Sequence, residues 1–116
     1  MTKKRIAELY RFLSVASMKR MNEDEKVAFI RLLRTMKPVF MDVQTAMNDA
    51  VEQAKKDCES QADVMALVNR AMDDIWKEEC AIIVKVMTAD AFERLCLSND
   101  WNFATIDELE QELVTS

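Results

Sequence analysis

The chain has 116 residues, half of them hydrophobic and 32% charged, a balance that excludes a disordered tail and gives the expectation of one domain over 1–116. It contains no glycine, so the phosphate-cradling loops of a P-loop or a dinucleotide fingerprint have no residue to supply their left-handed turns. It contains no histidine, which removes Ser-His and Cys-His nucleophiles and His-based metal sites, and its net charge is −5.

From the N-terminus, Thr2 can cap a first helix running to about Met18–Arg20, with Ile6, Leu9, Leu13 and Ala16 on its apolar face and Tyr10 and Phe12 widening it. Glu8 and Arg11 interrupt the apolar residues of this segment, so it does not read as a signal peptide, and no stretch is long and apolar enough for a membrane span. A soluble, cytoplasmic protein is expected.

Asn22 with Glu25 forms a capping box for a second helix over 22–59. Phe29, Leu33, Met36, Phe40, Val43, Met47, Ala50 and Ala54 step alternately by four and three, a coiled-coil-like heptad seam. Pro38 interrupts the hydrogen bonding of this helix, and because the seam keeps its phase across it, a kink rather than a loop is expected there.

Ser60 and Asp63 restart the chain as a helix over 60–79, with Val64, Leu67, Val68, Ala71, Met72 and Ile75 inward and Trp76 at the stripe's edge. Ala81–Met87 is rich in β-branched residues and predicts one short extended strand near 81–87 that needs a partner. Thr88 caps the next helix, with Met87 and Phe92 at the spacing of a hydrophobic staple, and Asn99 is expected to end it in the left-handed conformation. Thr105 with Glu108 predicts a capping box for the last helix.

The fold class these elements predict is mainly α: a helical bundle around a long Pro-kinked helix, packed antiparallel on the 60–79 helix. At about 1.5 Å per residue a helix over 22–59 is ~55 Å long, so a second copy of the chain is expected to cover part of it, as dimer or higher oligomer.

Candidate sites follow from chemistry. Cys58, Cys80 and Cys96 form no CxxC pair and read as reduced thiols, at least two of them buried; neither a metal nor a cofactor is expected. The pairs Asp73-Asp74 and Glu78-Glu79 lack the histidine of a di-iron site and the glycine of a calcium loop, and read as solvated faces. The nine methionines serve core filling or an adaptable partner surface. A partner surface is assigned to Phe29, Leu33, Met36, Phe40, Val43 and Met47 of the seam, with Trp101 as a loop anchor; the alternative for Trp101 and Phe103 is to plug the core. Residues 1–37 carry a net +6 and the remainder −11. A second hypothesis, nucleic-acid binding, therefore uses Lys3, Lys4, Arg5, Arg31, Arg34 and Lys37 against phosphates.

Two stretches, Asn22–Pro38 (NEDEKVAFIRLLRTMKP) and Thr88–Leu109 (TADAFERLCLSNDWNFATIDEL), resemble a group of small phage- and prophage-associated helical proteins of bacteria. The junction of that group appears here as Met36-Lys37-Pro38. The resemblance covers about a third of the chain; it implies an origin on a mobile element and a non-enzymatic accessory role, with no catalytic residues.

Overall fold

Short polar side chains decide where the helices begin. In the computed structural model, which describes residues 1–115, five helices form among the described residues: α1 (Lys3–Leu13), α2 (Glu23–Asp57), α3 (Gln61–Lys77), α4 (Ala89–Leu97) and α5 (Phe103–Leu113). The Thr2 hydroxyl accepts from the Arg5 N–H at 3.2 Å, Ser60 from Asp63 at 3.2 Å and Thr88 from Ala91 at 3.1 Å. Asn22 and Glu25 close a reciprocal box, with Glu25 N–H to Asn22 Oδ1 at 2.8 Å and Asn22 N–H to Glu25 Oε1 at 2.9 Å. The fold is mainly α, as the periodicity requires.

Helix boundaries and the expected strand differ from the sequence reading. α1 stops at Leu13 rather than near Met18–Arg20. The Asn99 side chain takes both backbone groups of Ser17, accepting from its N–H at 2.8 Å and donating to its carbonyl at 2.9 Å. These long-range bonds replace the helical ones that continuation would need. Asn99 is not left-handed either, since no described residue has a positive φ. It ends α4 through its side chain, whose Nδ2 also donates to the Leu95 carbonyl at 2.9 Å.

The cap of α5 is Asn102, not Thr105: its Oδ1 accepts from the Thr105 N–H at 2.9 Å, and the helix starts at Phe103. Asparagine is the stronger capping residue, which moves the boundary three positions upstream. The strand expected near 81–87 does not form. Single bridges at Thr2↔Glu79 and Met87↔Val114 take up the flanks; beyond them Cys80 N–H donates to the Met1 carbonyl at 2.9 Å and Val86 N–H to the Val84 carbonyl at 3.0 Å, and neither bond extends into a ladder. Val84 and Met87 are buried while Ile83 and Val86 are exposed, so the β-branched run anchors a connector rather than a ladder.

The chain divides into two compact units, one of Met1–Arg11 with Lys37–Ala81, the other of Phe12–Met36 with the chain from Ile82 onward. α2 runs unbroken through Pro38 and contributes to both. In the first unit the three-residue link between α2 and α3 makes them antiparallel neighbours. Val43, Ala54, Val68 and Met72 form their core, with Ala46, Met47, Ala50, Val64, Leu67, Ile75 and Trp76 packed around it. Ala71, expected inward, is exposed. In the second unit the buried side chains include Phe29, Met36, Phe92, Leu95, Leu109 and Leu113.

Candidate functional site

The seam assigned to a partner is largely occupied by the chain itself. Phe29, Met36 and Val43 are buried, and Leu33, Phe40 and Met47 are half-buried. The i, i+3, i+4, i+7 spacing that marks these residues reports the core of the fold first. Among the surfaces that stay open are a groove in the first unit and a corner in the second.

The corner is built on the turn after α1 and the loop between α4 and α5. Besides the Ser17–Asn99 bonds, Arg20 N–H donates to the Ser98 hydroxyl at 2.8 Å. The Phe12 and Trp101 rings lie 5.2 Å apart, tilted by 39°. Trp101, predicted as a loop anchor, thus packs on Phe12 and is half-buried. Phe103 does not plug the core: it is 81% exposed, and Val15 and Leu97 are 84% and 66% exposed. Each of these three stands two residues from a member of the pinned pairs, Val15 from Ser17, Leu97 from Asn99 and Phe103 from Trp101. The sequence offered no sign of this, because apolar residues beside helix ends read as core.

Polar groups support the second unit. Arg94 grips Glu25 with both arms, Nε to Oε1 at 2.7 Å and the terminal nitrogen to Oε2 at 2.5 Å. The Arg94 hydrogen bond, with the Asn22 N–H beside it, holds the Glu25 carboxyl below the usual carboxylate range. The same pairing raises Arg94. Burial, and then the nearby Glu110 and Glu93 carboxylates, push the Cys96 thiol up. All three cysteines are free and half-buried, where at least two were expected to be buried; they sit at helix ends and in connectors, where packing is incomplete.

The groove of the first unit has a volume of about 280 Å³. Ala7, Phe40, Val43, Met47 and Trp76 give it an apolar floor, and Lys4, Glu8, Arg11 and Gln44 its rim. Lys4 Nζ lies 5.6 Å from the centre of the Trp76 ring and the Arg11 guanidinium 6.0 Å from that of Phe40. Tyr10 stacks on Phe40 at 4.8 Å.

No protein-family model, no characterised protein and no solved structure matches this chain. What the corner and the groove can bind therefore follows from their own chemistry. Among the described residues no three metal-binding side chains converge, and no buried side-chain nitrogen or oxygen lacks a hydrogen-bond partner. Among the described residues no helix is long and apolar enough to cross a membrane.

The basic residues fare unequally. Lys3 pairs with Glu78 at 3.2 Å and Lys4 lies over Trp76, while Arg5 is half-buried. Arg31, Arg34 and Lys37 are exposed at three-residue steps along α2.

Proposed function

We propose that this protein is a non-enzymatic interaction or assembly protein whose partner is a second copy of its own chain, docking through the Phe12–Trp101 corner. The observation that carries this reading is the exposure of Val15, Leu97 and Phe103 around two loops that hydrogen bonds hold in place. Apolar side chains on a fixed frame lose little conformational freedom on docking, and large exposed apolar patches mark interaction sites. The charges beside them suit self-association. Exposed Lys19 and Arg20 lie on the turn after α1 and exposed Asp100 on the facing loop, so a twofold pairing sets basic against acidic.

The resemblance of Asn22–Pro38 and Thr88–Leu109 to phage-associated proteins supports an assembly role on a mobile element, and the free cysteines suit a cytoplasmic setting. The test is molar mass by light scattering across a concentration series. Wild type should be a dimer or larger at high micromolar concentration. Phe103→Glu should be a monomer with stability changed by less than about 0.5 kcal/mol, because the side chain is exposed. A wild type that stays monomeric ends the proposal.

A second reading, a nucleic-acid-binding regulator, is favoured by the exposure of Arg31, Arg34 and Lys37. It requires a mobility shift on generic DNA that weakens steeply with salt and is lost on replacing these three by alanine.

A further inference from the structure

The groove of the first unit belongs to neither reading, and its two walls are cut to the same helical pattern. Lys4, Ala7, Glu8 and Arg11 of α1 fall at i, i+3, i+4 and i+7; so do Phe40, Val43, Gln44 and Met47 of α2. Each helix thus presents one continuous strip to the groove. Ala7 is the reason that space remains, since a larger side chain there would fill it.

We propose that this groove binds a small amphipathic carboxylate, its aliphatic chain or single aromatic ring on Phe40, Val43, Met47 and Trp76 and its carboxylate at the Lys4–Arg11 rim. The volume, about 280 Å³, is close to the ~300 Å³ lower end of small-ligand pockets. Lys4 and Arg11 are seven residues apart, so the groove is only about 10 Å long. That suits a short chain or one ring rather than a long helix of a partner protein.

The charge of the rim selects the sign of the ligand. Lys4, Glu8 and Arg11 line the rim, and both cations lie over aromatic rings of the floor, where a ligand's head would meet them. An anionic head placed beside Lys4 or Arg11 keeps its apolar tail on Trp76 or Phe40. A cationic head at either place meets like charge.

Titration of the purified protein with octanoate, octanol and octylamine, followed by Trp76 emission, tests the proposal. The chain has two tryptophans, so a Trp101→Phe variant makes the signal specific. Octanoate should bind saturably, at least about tenfold more tightly than octanol, with octylamine weakest. Replacing both Lys4 and Arg11 by glutamine should remove the preference for octanoate over octanol. Ala7→Leu should fill the groove and abolish binding of all three, with circular dichroism confirming that the helices persist. Equal affinity for octanoate and octylamine in the wild type overturns the proposal, as does the absence of saturable octanoate binding. The ligand series on the wild type decides the matter even if a variant fails to fold, and none of it depends on self-association.

Discussion

In the first unit the interior is made of aliphatic and thioether side chains from α1, α2 and α3, and the ion pairs Lys3–Glu78 and Lys77–Asp73 lie outside it. In the second unit, by contrast, the Glu25–Arg94 fork, the Asn99 bonds to Ser17 and the capping side chains fix loops around shorter helices. The exposed large apolar residues divide the same way: Met41 and Met65 in the first unit, but Phe12, Val15, Val27, Ile30, Ile83, Val86, Leu97 and Phe103 in the second. Long antiparallel helices consume their apolar faces against each other. Short helices joined by pinned loops leave apolar residues outside and rely on specific hydrogen bonds for their geometry.

The difference can be broken from either side. Met72→Ala removes a fully buried side chain from the first unit's core and should cost about 2–5 kcal/mol in chemical denaturation. A cost below 1 kcal/mol would mean that helix packing does not dominate there. Asn99→Ala, which loses bonds to Ser17 and Leu95, should cost about 1–3 kcal/mol. Amide exchange of residues 14–20 should accelerate in that variant while that of α3 does not.

A smaller effect sharpens the boundary of α5. Asn102→Ala should cost ~1 kcal/mol by loss of the cap, whereas Thr105→Ala, one turn inside, should cost less than half as much. The reverse order would place the helix start at Thr105 after all.

The smallest effect is confined to acid. Because the folded-state carboxyl of Glu25 is lowered, its stabilisation is present above the ordinary carboxylate value near ~4.3 and is lost as pH falls through the folded value. Melting temperature followed from pH 7 to pH 3 should therefore show a shallower acid limb in Glu25→Gln than in wild type. Parallel limbs would exclude Glu25 as a source of acid sensitivity.

These contrasts also separate what was legible in the sequence from what was not. Ser60, Thr88 and the Asn22–Glu25 box act on neighbours three residues away, so spacing alone located the starts of α2, α3 and α4. The helical seam was legible because burial imposes a 3.6-residue period. Its destination was not, since the same stripe serves a core and an interface. The end of α1 was hidden for a different reason: Asn99 and Ser17 are 82 positions apart, and nothing local marks either as the other's partner. The β-branched run at 82–86 showed that propensity does not make a strand when single bridges already satisfy its ends.

Pro38 stands one residue beyond the point where α2 passes from the second unit to the first. Having no N–H, it leaves the Arg34 carbonyl without its helical donor, and a proline inside a helix costs about 3 kcal/mol of propagation. A disturbance travelling along α2 by successive loss of rungs meets a rung already missing there. The helix should therefore open as two cooperative segments, one on each side of Pro38. Deuterium uptake along α2 should step between two protection levels near Pro38 rather than slope from its ends, so one secondary-structure element would carry two opening rates.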